Sequence, residues 1–364
     1  MFHPKAEIFL NHLRQNYKYI KAKVKDVKVM AVVKANAYGH GIVEITQALS
    51  NEGVHGFCVA LTEEAKELIE SKIKNPILHL GRICPEELDV YNSKQVRCTI
   101  NSIDDLKILS DYACEKNTSI ISHLKVDTGM GRMGISIEDL SRVIDEILTH
   151  KNIIIEGLYS HFSTAEEEEV QYRDVQLNTF KKIVLQVKEK LPSVKYFHIA
   201  NSAAILTCKE SLFNMVRPGL SIYGVSPLGK CCDELIPVMQ MKAPVSLVKK
   251  IKKGSFVGYG RQYIARANEK MFIIQAGYAD GIPMEFSNTG KIEINNILYS
   301  LIGKVSMDLI AVRDHIGGVQ INQDAIFWGS KSLRLELLSK EYNIIPYEFL
   351  TGVSKRVKRI YIDE

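Results

Sequence analysis

A chain of 364 residues, 46% hydrophobic and 24% charged, has the composition of an ordinary globular protein and the length of about two domains. Its net charge of +5 is small for that length and gives no reason to expect nucleic-acid or membrane partners. No apolar run reaches the length of a membrane span, and residues 1–10 lack the apolar core of a secretory signal. The seven cysteines (Cys58, Cys84, Cys98, Cys114, Cys208, Cys231 and Cys232) follow neither zinc-site nor disulfide-framework spacing. Reduced thiols in a cytoplasmic protein without a metal are therefore expected.

Ala6–Ile8 reads as a short strand, and a helical pattern follows through Ile20. Short apolar, β-branched runs then recur at 28–33, 55–60, 76–80, 97–100, 119–126, 153–160, 194–199 and 214–217. Amphipathic stretches such as Thr62–Ser71 and Gln176–Lys190 separate them. Strands alternating with helices predict βαβ units and a parallel sheet. Eight such runs fit an α/β fold with an N-terminal (β/α)8 barrel, with an open doubly wound sheet as the structural alternative.

Past Leu235 the rhythm changes. The segments 244–251, 271–276, 291–302 and 324–328 are short, β-branched and broken by turn residues, with one weak helix at 331–341. This predicts a mostly β C-terminal domain. The expected division is 10–234 for the barrel and 235–364 for the β domain, to which the N-terminal strand 1–9 is joined. The acidic run Glu166–Glu169 and the basic cluster at Lys355, Arg356, Lys358 and Arg359 read as solvated surface.

Barrel active sites lie at the C-terminal ends of the strands. The first run, Met30–Val33, feeds directly into Lys34 and a small-residue turn ending at Gly41. A lysine at the end of a buried strand either snorkels to water or is held desolvated, with the lowered amine pKa a Schiff-base lysine needs. Other strand ends carry Lys125 with Arg132 in the glycine-rich loop behind it, His161, Asn201–Ser202, and Arg217-Pro-Gly-Leu220. Taken singly, His161 is a structural histidine, Asn201 a helix cap and Gly219 a turn glycine. Together they converge on one face. Asn201, Ser202 and Gly219 follow the seventh and eighth strands, where barrels often bind phosphate. A phosphate site opposite an unusual lysine suggests pyridoxal 5'-phosphate (PLP). Arg217 cannot give up its proton, so beside the pyridine nitrogen it leaves that nitrogen unprotonated and the ring a weaker electron sink. That favours prompt reprotonation at Cα, as in racemisation, over transamination.

These motifs resemble the alanine racemase family of fold-type III PLP enzymes, from about Ala6 to Ile360. The matching stretches, in family order, are Val33–Gly41, Lys125–Arg132, His198–Ser202, Arg217–Gly219, Gly258–Gly260, Gly277–Gly281, Met307–Asp308 and Ile345–Glu348. The resemblance implies that Lys34 carries PLP and is the base for the D-alanine α-proton. It implies that Tyr259, from the second subunit of a homodimer with shared sites, is the base for L-alanine on the opposite face. It gives Tyr38, Asn201, Ser202, Gly219, Leu220 and Tyr347 the phosphate, and has His161 stack on the ring and Arg217 face the pyridine nitrogen. Arg132 and the backbone of Met307 would bind the substrate carboxylate, and Lys125 matches a lysine that some members carbamylate. Tyr38 is expected one helical turn beyond Lys34. The implied role is supply of D-alanine for peptidoglycan. A broader small-amino-acid racemase is the alternative within the family. A fold-type III decarboxylase is a further alternative, although it would carry an acidic residue where Arg217 stands. The chain departs from many members at Ser306, at Gly258, and at Met284–Glu285 near the expected mouth of the site.

Overall fold

The computed structural model describes residues 3–363, so Met1 and Phe2 of the expected N-terminal strand and the terminal Glu364 lie outside the described residues. The chain forms two compact units. One holds Asn16–Ala37 and Ile42–Ile222; the other gathers residues up to Gln15, Tyr38–Gly41 and Tyr223 onward.

The chain opens on β1 (Lys5–Phe9), and the first unit then contributes β2 (Lys28–Val32), β3 (Gly56–Val59), β4 (Ile77–His79), β5 (Val96–Ile100), β6 (Ile120–Lys125), β7 (Ile153–Tyr159), β8 (Tyr196–His198) and β9 (Met215–Val216). All eight sequence runs are strands. The last eight form one parallel sheet in the order β8-β7-β6-β5-β4-β3-β2-β9, with helices such as Thr62–Glu70, Ile103–Glu115 and Gln171–Lys190 between strands. Sequential parallel neighbours curling round until β9 pairs with β2 make a barrel rather than an open sheet. β8 and β9 are too short for a ladder of their own. The seam is instead bridged by Arg217 N–H donating to Ala200 O (3.0 Å) and Phe197 N–H to Asn214 Oδ1 (2.8 Å).

The second unit is mostly β, as expected. It contains β10 (Met239–Ile251), β11 (Phe256–Val257), β12 (Tyr263–Ile264), β13 (Glu269–Ile274), β14 (Lys291–Ile294), β15 (Ile297–Ile302), β16 (Ile310–Asp314), β17 (Asp324–Trp328) and β18 (Lys358–Ile362). The order β13-β16-β15-β14-β17-β10 closes on itself through a β10–β13 pairing, and β1 and β18 extend the sheet from β10. β1 is antiparallel to β10 and parallel to β18. Its core includes Trp328, Phe349 and Phe286, with ring centroids of neighbours 5.7 and 6.0 Å apart. The segment 291–302 is a hairpin rather than one strand. Asn295 and Asn296 both take positive φ (52° and 64°), the turn that matches strand twist. β16 and the helix Pro346–Thr351 were not anticipated, and the weak helix falls at Leu335–Tyr342. Among the described residues, no helix is long and apolar enough to cross a membrane, and no group of His, Cys, Asp or Glu is placed to hold a metal ion.

Candidate active site

The turn after β2, which places Tyr38 beyond Lys34, is helical and left-handed. Ala35, Asn36, Ala37 and Tyr38 have φ of 53°, 53°, 52° and 52°. Left-handed backbone costs an L-residue about 1–2 kcal/mol, so four in a row must be held from outside. Ala35 N–H donates to Glu64 Oε1 (2.6 Å) and Ile42 N–H to Asn36 Oδ1 (2.9 Å). Glu64 is itself fixed by Ala60 and Leu61 N–H. This clamp sets where Lys34 leaves the strand.

Four cations from three strand ends bear on this place, Lys125 and Arg132 both following β6. Burial and then the charge of Arg132 lower the Lys34 amine. Burial, Arg217 and Arg132 bring Lys125 down to about 8. Burial and the cations Arg217, Arg132, Lys125 and Lys34 push His161 to about 3, so it is neutral. Lys125 Nζ and the Arg217 guanidinium lie over the Tyr159 ring, 5.6 and 5.0 Å from its centroid. Arg132 rides on a loop that Asp127 ties together through the N–H groups of Gly129, Met130 and Gly131. A site this positive calls for anions.

Arg217 is fully enclosed. Its Nη1 donates to His198 Nδ1 (2.5 Å) and His198 O (3.2 Å); its Nη2 donates to Ser160 O (2.7 Å) and His161 Nδ1 (3.3 Å). Four of its five donors are thus consumed by the chain, leaving Nε–H. Beside it, Ser202 Oγ accepts from Gly219 N–H (2.9 Å) and Ser221 N–H (3.3 Å) and lies 3.0 Å from Ser221 Oγ. Leu220, between them, is buried. Asn201 caps the helix that follows it, its Oδ1 accepting from Ala204 N–H (3.0 Å).

In the other unit, the Tyr38 ring packs between Tyr223 (4.8 Å) and Tyr347 (5.6 Å). Tyr259 is 73% exposed, and Met307 is 52% exposed with its carbonyl accepting from Ala279 N–H. Ser306 Oγ donates to Leu309 O (2.6 Å), while Arg356 joins Asp280 and Asp308. So Lys34, Lys125, Arg132, His161 and Arg217 act on one another electrostatically, and Ser202 Oγ gathers the Gly219 and Ser221 N–H groups beside them. Tyr38 and Tyr347 meet, whereas Tyr259 and Met307 stand on the surface of their unit. Sequence reasoning missed Tyr159, His198 as a partner of Arg217, Ser221 and Glu64. Tyr159 directly precedes Ser160-His161, and Ser221 lies two residues past Gly219. Glu64 gives no signal, because it sits in an ordinary charged helix.

PLP fits this donor set: a desolvated amine for its aldehyde, N–H and O–H groups on small residues for its phosphate, and one guanidinium donor left for its ring nitrogen. A parallel (β/α)8 barrel with a desolvated lysine among cations at its strand ends is the architecture of a barrel enzyme. Family models agree in both parts: "Alanine racemase, N-terminal domain" matches residues 8–227, and "Alanine racemase, C-terminal domain" matches 238–361. The chain belongs to the alanine racemase family. It is 35% identical to an alanine racemase of Carboxydothermus hydrogenoformans over 98% of this chain and 99% of that one. The solved alanine racemase of Clostridium difficile 630 superposes with a TM-score of 0.93 at 31% identity, covering 100% of this chain and 96% of that one. The alanine racemase of Bartonella henselae, solved with covalently bound pyridoxal phosphate, gives 0.91 at 31% identity and 99% coverage of each.

Proposed function

We propose that this chain interconverts L-alanine and D-alanine with PLP by two-base proton transfer. The observation that carries the reading is Arg217: buried and wired to His198, Ser160 and His161, it has only a donor to offer. When bound, PLP draws electrons from the substrate's Cα–H bond so that its proton can leave. Arg217, offering a donor where a carboxylate would keep the ring nitrogen protonated, would keep that withdrawal weak and so favour prompt return of a proton to Cα. Lys34, with its amine pKa lowered by burial and Arg132, is suited to take a proton from one face and to return one there. Tyr259 serves the other face. The 73% exposure of Tyr259 on the β unit supports a site completed by a second copy, in a homodimer. Arg132 and the Met307 backbone orient the alanine carboxylate. Ser202, Gly219, Leu220, Asn201, Tyr38 and Tyr347 hold phosphate, and His161 lies on the ring. Lys125, near pKa 8, has enough free amine at neutral pH to take up carbon dioxide as a carbamate, which would turn a cation beside Arg132 into an anion. The functional domains run 10–234 and 235–364. The protein works in the cytoplasm, supplying D-alanine for peptidoglycan.

The test is direct. Lys34→Ala should abolish both the visible absorbance acquired with PLP and racemisation. If Lys34→Ala racemises alanine at the wild-type rate, the reading is wrong.

A further inference from the structure

The interior of a (β/α)8 barrel is ordinarily filled by layers of branched apolar side chains. Here a file of polar groups runs behind Arg217. His198 Nε2 lies 2.9 Å from His123 Nδ1, and His123 Nε2 lies 3.9 Å from Glu156 Oε2. Glu156 in turn accepts from Arg97 Nε at 2.8 Å. His123, His198 and Arg217 are all buried. Such groups are costly to bury, and nothing in barrel packing requires them.

Two local features build the file. The β6–β7 register steps from Ser122↔Ile155 to His123↔Gly157, so Glu156 is the extra residue of a bulge, a device that re-aims a side chain. The next residue is glycine for a steric reason: a Cβ on Gly157 would lie 2.5 Å from the His123 ring. The rings are also held by stacking. Tyr159 lies parallel to His198 (4° between planes, 4.9 Å), and Tyr196 stacks on His123 at 6.3 Å.

The file has only one direction. Arginine cannot accept, so His198 Nδ1 must, and its hydrogen is on Nε2. That N–H points at His123 Nδ1, which must then accept, leaving the second hydrogen on His123 Nε2, facing the carboxylate. Burial would raise the Glu156 carboxyl, but its His123 and Arg97 neighbours outweigh burial and hold it at about 2. We infer that Glu156 and His123, through His198, are positioning residues that fix the hydrogen-bond direction behind Arg217 and so aim its remaining donor at the cofactor's ring nitrogen. This rests on the PLP reading above. Replacing Glu156 by a neutral amide lets its side chain donate to His123 Nε2. The file can then reverse, and His198 Nδ1–H would collide with the Arg217 donor.

The experiment reads histidine tautomers by 15N NMR in the cofactor-free chain, and then the visible absorbance with PLP. In the wild type both His123 and His198 should carry hydrogen on Nε2; an Nδ1 hydrogen on either overturns the inference. Glu156→Gln should change both tautomers, shift the absorbance maximum and weaken PLP binding about tenfold, the lower end of what losing an outer-shell partner costs a metal site. Glu156→Asp should restore all three. Gly157→Ala removes no functional group, yet should reproduce the Glu156→Gln changes by displacing His123. Wild-type tautomers and absorbance in a folded Glu156→Gln or Gly157→Ala chain would also overturn it. Failure of the wild type to gain any visible absorbance would reject the PLP reading instead, and the tautomers would still decide the direction of the file.

Discussion

Ala35 is exposed and left-handed, so its methyl group makes the conformation harder without packing against a core. Ala35→Gly should therefore stabilise the turn that carries Lys34. Removing the Cβ relieves about 1–2 kcal/mol of left-handed strain. The added freedom of glycine in the open chain returns about 0.5–1 kcal/mol. The net gain is about 0.5–1 kcal/mol. The Ala37 N–H, which donates to Val33 O at 2.8 Å inside the turn, is the local reporter. Its native-state hydrogen exchange should slow by a factor of about two to five. Lys107→Gly, at an exposed position of the right-handed helix Ile103–Glu115, is the control and should cost up to about 1 kcal/mol locally. If Ala35→Gly speeds exchange at Ala37 as Lys107→Gly does in its own helix, the left-handed turn is not what holds Lys34.

Other outcomes follow from the charges. Lys125 has a folded pKa of about 8 against about 10.5 unfolded, so the folded chain binds fewer protons between those values. Stability of the cofactor-free protein should rise as pH goes from about 8 to 10, measured by urea melts; a fall attributable to Lys125, abolished in Lys125→Met, would contradict the assignment. At the acid end, His198 and His161 are depressed, the latter to about 3, so the unfolded chain binds the extra protons below its ordinary pKa of about 6.5. Stability should decline as pH drops from about 6.5 toward 3, and His161→Phe should flatten part of that slope. Because four cations crowd the site, inorganic phosphate should raise the thermal midpoint of the cofactor-free chain, and Arg132→Ala should diminish the rise.

The barrel was legible because its strands are continuous apolar runs, the signature of burial on both faces. The C-terminal domain was read less completely. Strand β10 begins well before the run read at 244–251, β13 begins with the charged pair Glu269 and Lys270 ahead of its apolar run, and β16 is short and ends in charge at Arg313 and Asp314. The residues with distinctive chemistry at strand ends, Lys34, His161 and Arg217, could be read directly. Their supports could not: Glu64 looks like any helix-surface carboxylate, and the Glu156 bulge exists only in the pairing of two strands. The hand of the turn at 35–38 was also hidden, since alanine, asparagine and tyrosine are all compatible with an ordinary helix, and long-range contacts impose the reversal.

The central claim is that two bases work on opposite faces, Lys34 and Tyr259. It is tested most directly by following α-hydrogen exchange of each alanine enantiomer in deuterated water with Tyr259→Phe loaded with PLP. The expected result is that D-alanine exchanges its α-hydrogen with retention while L-alanine neither exchanges nor appears as product. Racemisation of both enantiomers at the wild-type rate would contradict it.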